Sequence, residues 1–262
     1  MTVLKVENIS ICFGGLKAVS NFNLQLEEGE LVGLIGPNGA GKTTIFNMIT
    51  GVYAPDEGRI LLNSKDVLKN ITGLKPHQIT RLGMARTFQN IRLFKDLTVL
   101  DNVRIAYHFN VKYNALQSIF RTPGYYKEEA EVREKALTLL KLFKIEQKSD
   151  ELAKNLPYGE QRKLEIARAL ATNPRLLLLD EPAAGMNPQE TKDLMQLIQF
   201  IREEFKLTIL LIEHDMNLVM GICERIVVLD YGQQIAAGSP EEIKKDPRVI
   251  KAYLGEEVET GA

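Results

Sequence analysis

The most informative segment of this 262-residue chain is a glycine-rich run that ends in Lys and Thr. It follows the apolar stretch 31–35 and precedes apolar residues at helical spacing, so we expect it to join a buried strand to a helix. In such a loop consecutive backbone N–H groups can face phosphate oxygens. The run matches the pattern GxxxxGK[ST]. Its residues, with the next Thr, are Gly36, Pro37, Asn38, Gly39, Ala40, Gly41, Lys42, Thr43 and Thr44.

This match predicts a phosphate-binding loop rather than an ordinary glycine-rich turn, because the flanking strand and helix are those that the motif requires. We expect Lys42 to reach the β and γ phosphates of a nucleotide. The hydroxyl of Thr43 is expected to bind Mg²⁺. The chemistry implied is therefore the binding of ATP with Mg²⁺.

Two acidic residues follow a second apolar run. The leucines at 176–179 lead directly into Asp180 and Glu181, which places both carboxylates where a buried parallel strand ends. We expect Asp180 to hold Mg²⁺ and Glu181 to polarise an attacking water. Four leucines before two acids are a weak signal alone. Together with the phosphate loop they predict a P-loop ATPase.

The elements that position these residues follow from hydrophobic patterning. Alternation over 3–9 and 22–26 predicts half-buried antiparallel strands. Apolar runs at 176–179, 208–212 and 226–229, with a helical pattern at 189–204 between the first two, predict a mainly parallel sheet. The expected fold class is α/β.

From about residue 90 the strand-like alternation of apolar and polar residues becomes scarce and helical spacing takes its place, which predicts an inserted helical region. Its main helix is expected over 126–148, where apolar residues form one stripe and charges lie opposite. We therefore expect a P-loop NTPase (RecA-like) core with an N-terminal antiparallel β subdomain, made of 1–89 and 165–262. The inserted helical subdomain is expected to span 90–164.

Composition narrows the function classes. The chain has 45% hydrophobic and 26% charged residues, which is typical of a globular protein. Its 33 basic and 34 acidic residues nearly balance, which disfavours a protein that wraps nucleic acid.

Cys12 and Cys223 lie in no metal-binding pattern, so we expect two buried reduced thiols. His77 and His108 belong to no motif and are expected to be structural or solvated. With no visible secretory signal and no membrane-spanning apolar run, we expect a soluble, cytoplasmic chain.

The segment between the two motifs resembles a known family. Asn155-Leu156-Pro157-Tyr158-Gly159-Glu160-Gln161-Arg162 resembles the LSGGQ-type signature of ATP-binding cassette proteins, and the resemblance extends over the whole chain. It implies that Gly159 and Glu160, at the start of a helix expected near Glu160, face the γ-phosphate of a partner's ATP. The chain as a whole would be one cassette.

The same resemblance implies roles for other positions. Gln89, after Arg-Thr-Phe, is similar to the Q-loop glutamine that contacts Mg²⁺ and the attacking water. His214 matches the switch histidine that senses the γ-phosphate. Phe13 resembles the aromatic that stacks on adenine, with Val19 lining the same side; the alternative is that Phe13, as a single aromatic near a turn, belongs to the core. The segment 183–188 occupies the position of the D-loop.

Three positions depart from the commonest family pattern. Pro157 stands where a serine usually lies, so a hydroxyl that would bond the partner's γ-phosphate is missing. Tyr158 replaces the first signature glycine, and Asn187 replaces the usual D-loop aspartate. The amide of Gly159 and the helix N-terminus still face an anion, so the signature role is expected to persist.

Finer features resemble one subgroup, the larger ATPase subunit of branched-chain amino-acid importers. They are Arg86 to Asn90, the Tyr-Gly in the signature, Ala184 to Pro188, the insert around 106–127 and the ending 249–255.

The lipopolysaccharide-export ATPase is the nearest alternative within the family. A soluble cassette protein without a transport role is a second alternative, but the chain has neither a long coiled-coil insertion nor a second cassette. A non-catalytic nucleotide-binding module is a third, and it would tend to lose Glu181 or His214.

The resemblance also implies partners. Two cassettes, identical or paralogous, would pair head to tail with ATP between them. Integral membrane permease subunits would hold the pair at the cytoplasmic face of the membrane, and a substrate-binding protein would act through the permease. No nucleic acid partner is expected.

Overall fold

A computed structural model describes residues 1–111 and 115–259 of the chain, which divide into two compact units. The first unit comprises residues 1–86 and 175–262, and the second comprises residues 87–174. The sequence pattern places the breaks at 90 and 164 instead. The later second break arises because the helix that follows the signature segment packs against other helices of the second unit.

The strands all lie in the first unit as far as the described residues extend. They are β1 (Thr2–Phe13), β2 (Leu16–Glu27), β3 (Leu31–Ile35), β4 (Glu57–Ser64), β5 (Val67–Asn70), β6 (Met84–Arg86), β7 (Leu176–Asp180), β8 (Thr208–Ile212), β9 (Arg225–Asp230) and β10 (Gln233–Gly238).

The α-helices are divided between the units. They are α1 (Lys42–Ile49), α2 (Pro76–Arg81), α3 (Val99–Tyr107), α4 (Ala115–Ile119), α5 (Pro123–Leu142), α6 (Tyr158–Leu170), α7 (Pro188–Glu204), α8 (Met216–Ile222), α9 (Pro240–Ile243) and α10 (Pro247–Glu259). Helices α3 to α6 belong to the second unit and the remainder to the first. No helix among the described residues is long and apolar enough to cross a bilayer.

Two sheets build the first unit. The antiparallel sheet has the order β2-β1-β4-β5, and the six-stranded sheet has the order β10-β9-β3-β8-β7-β6. Strands β9, β3, β8, β7 and β6 run parallel, whereas β10 pairs antiparallel with β9. The α/β fold predicted from the sequence, with its N-terminal antiparallel sheet, is confirmed.

Three central strands explain the uninterrupted apolar runs. Every residue of β3, β7 and β8 is buried, since both faces of the parallel sheet are covered. In β1 and β2, by contrast, buried residues are interspersed with exposed ones. Parallel strands present their carboxyl ends at one edge, so the loops after β3, β7 and β8 are placed together.

The second unit is helical, as predicted. Val132, Ala136, Leu139 and Leu140 form the buried stripe of α5, which packs against α3. The helix spans 123–142 rather than the expected 126–148. It begins early because Thr122 caps it and Pro123 suits the first turn, and it ends early because Lys144 adopts a positive φ.

The expectation of two buried thiols is half wrong. Cys223 is buried, but Cys12 is exposed. Cys12 lies near the tip of the β1–β2 hairpin, where residues 12–17 are all exposed because the hairpin extends beyond the core. Cys223 follows α8 and packs against β3, at the point where Gly33 leaves room for its sulfur.

Candidate functional site

The glycine-rich segment forms a tight loop between β3 and α1. Gly36 has a φ of 150°, and a Cβ there would lie 2.1 Å from the carbonyl oxygen of Leu229. Gly41 has a φ of 99°, and its Cβ would lie 2.9 Å from the carbonyl oxygen of Ala18. Both positions therefore need glycine for their conformation and for the close approach of neighbouring backbone. The strand-loop-helix arrangement is the one that the motif requires.

Lys42 is the first residue of α1, and its side chain turns back beneath the loop. Its Nζ donates hydrogen bonds to the carbonyl oxygens of Gly36, at 2.5 Å, and Pro37, at 2.8 Å. Lys42 is only 5% exposed. The loop thus holds a buried positive charge close to its own backbone, which favours an anion bound at the loop.

A cavity of about 460 Å³ opens beside this loop. Asn38 to Thr44 line it on one side, and Glu181 and His214 line it as well. The structure therefore brings the phosphate loop, the second acid and the histidine to one cavity. Gly36 and Pro37 contribute through the carbonyls that hold Lys42.

Glu181 and His214 are in direct contact. Glu181 Oε1 lies 2.6 Å from His214 Nε2, and the two side chains are 13% and 43% exposed. Asp180 pairs with Ile212 in the sheet, so the residues that follow these two leave the same edge. Glu181 has a φ of 46°, and its amide donates to the carbonyl of Ile212. A carboxylate and an imidazole joined in this way can position and polarise a water.

Glu213 is a functional candidate that the sequence analysis missed. Its carboxylate is buried and accepts hydrogen bonds from the amides of Ala183, at 2.6 Å, and His214, at 3.0 Å. Burial raises the pKa of Glu213 above its usual value, although the amides oppose the shift. Glu213 therefore ties the segment after Glu181 to the backbone of His214. The only signal was an acid at the end of a buried run, which gives no indication of its partners.

Asp180 is held by a partner that the sequence did not reveal. Its Oδ2 accepts a hydrogen bond from Arg86 Nη2 at 2.7 Å, and both side chains are buried. Asp180 comes directly before Glu181, which lines the cavity. The predicted metal ligand is thus an ion-paired carboxylate in this structure.

The adenine-side role of Val19 stays a prediction. Its side chain is fully buried in the hydrophobic core, and its Cγ2 would lie 3.3 Å from a Cβ at Gly41 of the phosphate loop. The preceding residues Leu16, Lys17 and Ala18 line the cavity. Phe13 is exposed and packs edge-on against Tyr53, with ring centroids 5.3 Å apart. Its stacking role stays a prediction.

Tyr231 also lines the cavity, on the turn that follows β9, and it is 83% exposed. It was not predicted, because nothing in the local sequence connects this turn with the phosphate loop. The backbone amide of Gly232, its neighbour, donates to the carbonyl of Ala40. The β9–β10 turn is therefore fastened to the phosphate loop.

The signature segment and Gln89 both belong to the second unit. Helix α6 begins at Tyr158, two residues earlier than the predicted start near Glu160, with Pro157 as its N-cap. Pro157 brings the start forward because its carbonyl accepts from the amides of Glu160 and Gln161. The carboxylate of Glu160 is bound to Lys148. Gly159 thus lies in the first turn, where amides face away from the helix.

Arg162, on α6, joins the signature helix to the segment of Gln89. Its guanidinium donates to the carbonyl of Phe88, at 2.7 Å, and to that of Gln89, at 2.8 Å. Arg162 is fully buried and paired with Glu165. Gln89 itself is exposed. The family resemblance identified Gln89, but nothing in the sequence indicated that Arg162 binds the Gln89 backbone.

Comparisons with known proteins agree with this geometry. The sequence profile of the ABC transporter family matches residues 19–184. A second profile, described as branched-chain amino acid ATP-binding cassette transporter, matches residues 233–259. BraF of Pseudomonas aeruginosa, a high-affinity branched-chain amino acid transport ATP-binding protein, is 49% identical over 97% of this chain and 98% of its own length.

Solved structures agree as well. The ADP conformation of MJ1267, an ATP-binding cassette of an ABC transporter, matches with a TM-score of 0.83 and 34% identity, covering 97% of this chain and 99% of that one. The dimeric structure of MJ0796, a bacterial ABC transporter cassette, matches with a TM-score of 0.73 and 28% identity, covering 90% and 98%. The chain belongs to the ATP-binding cassette transporter family.

Proposed function

We propose that this chain binds and hydrolyses ATP as a subunit of an importer for branched-chain amino acids. The observation that supports this most is the cavity shared by the phosphate loop, Glu181 and His214. The substrate class rests on the similarity to BraF, which extends over 97% of this chain, and on the profile match at 233–259. The two units together would make up one cassette.

The triphosphate of ATP would lie along the loop at residues 36–43. Backbone amides and the N-terminus of α1 face the anion, and Lys42 supplies a full positive charge. Its ammonium donates hydrogen bonds to the Gly36 and Pro37 carbonyls. Moving from these carbonyls to phosphate oxygens would preserve its hydrogen bonds and add charge pairing.

The residues present fit Mg²⁺ carried by the nucleotide. Within the described parts of the chain no three His, Cys, Asp or Glu residues form a cluster that could hold a metal ion. Mg²⁺ in such sites keeps several waters and is bound mainly by substrate phosphates with one or two protein oxygens. Thr43 on the cavity and Asp180 beside Glu181 would supply those oxygens. When bound, Mg²⁺ neutralises charge on the β and γ phosphates.

Glu181 is the residue proposed to act on the attacking water. Its carboxylate lines the cavity and accepts the hydrogen bond that orients water toward the γ-phosphorus. His214 holds this carboxylate in place at 2.6 Å. Lys42 spreads the charge that develops on the phosphate oxygens. Glu213 positions His214 through its backbone amide.

The signature helix would act on the ATP of a second cassette. The first turn of α6 presents the amide of Gly159, and Pro157 adds no side-chain hydrogen bond there. A helix N-terminus of this kind binds anions. The dimeric MJ0796 cassette, to which this chain is similar, supports a dimer of this chain or of this chain with a paralogue. Head-to-tail pairing would place each ATP between one phosphate loop and the other signature segment.

Coupling to transport would pass through the segment after Gln89. Phe94 is 49% exposed, and Arg168 of α6 lies over its ring at 5.4 Å. The backbone of Phe94 is fixed by both side-chain groups of Asn102. A rigid, exposed aromatic on the same unit as the signature helix suits a contact with a permease helix. A substrate-binding protein would deliver the amino acid, and the chain would lie at the cytoplasmic face of the membrane.

The test reconstitutes the chain with permease subunits and a binding protein of a branched-chain amino-acid importer, in liposomes with ATP inside. We expect leucine uptake that depends on ATP and on the binding protein, together with ATP hydrolysis. Glu181→Gln should abolish both, whereas Glu203→Gln, which removes an exposed carboxylate on α7, should leave both unchanged. ATP hydrolysis without uptake of leucine, isoleucine or valine would contradict the substrate class. Absence of nucleotide binding would contradict the whole proposal.

A further inference from the structure

Arg86 links strand β6 to strand β7 and to helix α1. It is the last residue of β6, and its Nη2 donates to Asp180 Oδ2 at 2.7 Å. Its Nη1 donates to Asn47 Oδ1, at 2.8 Å, and to Thr50 Oγ1, at 3.0 Å. Asn47 belongs to α1, which begins with Lys42, and Thr50 is the C-cap of that helix. One guanidinium therefore joins the phosphate-loop helix to the carboxylate that precedes Glu181.

Strand pairing explains this contact. Arg86 lies opposite Leu178 in the parallel ladder of β6 and β7. Asp180 is two residues farther along β7, so its side chain lies on the same face as that of Leu178. A distance of two residues along a strand is within reach of an extended arginine. The side chains are 7% and 5% exposed, so the ion pair has little access to water.

A buried carboxylate without a partner is costly, and its charge is weakly screened. The charge of Asp180 lies directly before Glu181, which faces the cavity proposed for the triphosphate. Without Arg86, two adjacent carboxylates and a polyphosphate would repel one another. With Arg86, the charge of Asp180 is neutralised before any metal ion arrives.

We propose that Arg86 is a positioning residue for nucleotide binding that neutralises Asp180 in the metal-free site. This inference rests on the proposed ATP-binding function. Arg86 lets the cavity accept the nucleotide when no metal ion compensates the acids, and it limits how much of the affinity depends on Mg²⁺. Its bonds to Asn47 and Thr50 keep the guanidinium at Asp180 when the phosphate-loop helix is occupied.

A purely structural role makes a different prediction. If Arg86 only braced the strand and the helix, its loss would weaken nucleotide binding to the same degree with and without Mg²⁺. If it neutralises Asp180, its loss should weaken metal-free binding far more, because Mg²⁺ can replace the missing positive charge. The ratio of the two dissociation constants separates these roles.

The experiment measures the dissociation constant of the non-hydrolysable analogue AMP-PNP by calorimetry, in EDTA and in excess Mg²⁺. For Arg86→Met we expect the EDTA-to-Mg²⁺ ratio to rise at least about tenfold above that of the unmodified chain. Arg86→Lys keeps the charge, so its EDTA-to-Mg²⁺ ratio should stay within about threefold of that of the unmodified chain. The matched control is Arg175→Met, because Arg175 is half exposed and pairs only loosely with Asp66, at 3.6 Å. Its ratio should not change.

The double variant Arg86→Met with Asp180→Asn removes both charges. Its EDTA-to-Mg²⁺ ratio should return to within about threefold of that of the unmodified chain. If Arg86→Met does not fold, the variant Asp180→Asn tests whether Arg86 neutralises Asp180. It leaves the guanidinium unneutralised, so binding of AMP-PNP in EDTA should tighten at least about threefold, and unchanged or weaker binding overturns the inference. An unchanged ratio in a folded Arg86→Met variant overturns it as well. If the unmodified chain binds no AMP-PNP, the proposed function itself fails.

Discussion

Glu181 Oε1 lies 2.6 Å from His214 Nε2 at the edge where β7 and β8 end. The two residues are 33 positions apart in the sequence. They meet because β7 and β8 are neighbours in the parallel sheet, and Asp180 pairs with Ile212, so the segments that follow the two strands leave the sheet side by side. This contact puts a carboxylate and an imidazole on the wall of the cavity that the phosphate loop lines.

Glu181→Gln is expected to retain nucleotide binding and to lower ATP turnover at least about a hundredfold. The amide preserves the size of the side chain but is a poor acceptor for the proton of the attacking water. A steady-state phosphate-release assay measures turnover, and binding of a fluorescent ATP analogue checks that the site is intact. Turnover within about threefold of the unmodified chain would rule out Glu181 as the residue that acts on water.

Lys42→Met is expected to weaken AMP-PNP binding at least about tenfold. The variant removes charge-assisted hydrogen bonds to phosphate oxygens, each of which contributes about 1.5–3 kcal/mol. Titration calorimetry measures the affinity. Lys192→Met, on the exposed face of α7, is the matched control and should bind normally. Equal affinities for the two variants would mean that Lys42 stays with the Gly36 and Pro37 carbonyls and never reaches the nucleotide.

Sequence reasoning reached the parts of this site that depend on local spacing. The phosphate loop and the acid pair each lie in a short run of fixed pattern next to an apolar strand, and His214 was identified by the family resemblance of the run that follows the next strand. Parallel strands end at a common edge, so these runs could be expected to meet. The fold class followed from the same alternation of strands and helices.

The partners of buried charges could not be predicted in this way. Arg86 meets Asp180 across two strands, and Arg162 meets the backbone of Phe88 and Gln89 from another helix. Each pair is distant in sequence, and the lone charged residue in an apolar context gives no indication of its partner. The burial of Val19 could not be predicted for a related reason, since the face of a strand residue depends on the register of the whole hairpin.

The two cysteines should differ in reactivity. Burial raises the pKa of Cys223 to about 12, so at pH 8 only about one thiol in ten thousand is ionised. Cys12 is exposed. We expect iodoacetamide to label one thiol per native chain and two per chain unfolded in guanidinium, as counted by mass spectrometry. Cys12→Ser should abolish native labelling and Cys223→Ser should not; rapid labelling of Cys223 in the native chain would contradict its burial.

Asn187 has a structural role that its place in the D-loop did not reveal. Its side chain accepts from the amides of Gln189 and Glu190, and the Glu190 carboxylate accepts from the Asn187 amide. This is a capping box at the start of α7. Asn187→Ala should lower the free energy of unfolding by about 1 kcal/mol. Asn187→Asp should preserve it within about 0.5 kcal/mol, because aspartate caps equally well. Urea unfolding measures both, and an equal loss in the two variants would argue against the cap.

Pro157 is the N-cap of α6, and it offers no side-chain hydrogen bond. Pro157→Ser should place a hydroxyl at the helix N-terminus, where it can donate to the γ-phosphate of a partner's ATP in the proposed head-to-tail dimer. A charge-assisted hydrogen bond contributes about 1.5–3 kcal/mol, which corresponds to closure that is about 10-fold to 150-fold tighter before any opposing effect.

The loss of proline opposes part of this gain, because a fixed φ at the helix entrance contributes about 0.4–1 kcal/mol. Closure should still tighten, since the hydrogen bond is the larger of the two effects. The measurement is the ATP concentration that gives half-maximal dimerisation, followed by light scattering in a Glu181→Gln background with and without Pro157→Ser. Pro157→Ala is the matched control, because it frees φ without adding a hydroxyl, and it should dimerise less readily than the parent. If the serine and alanine variants behave alike, position 157 does not face the phosphate, and the backbone of the signature helix alone holds it.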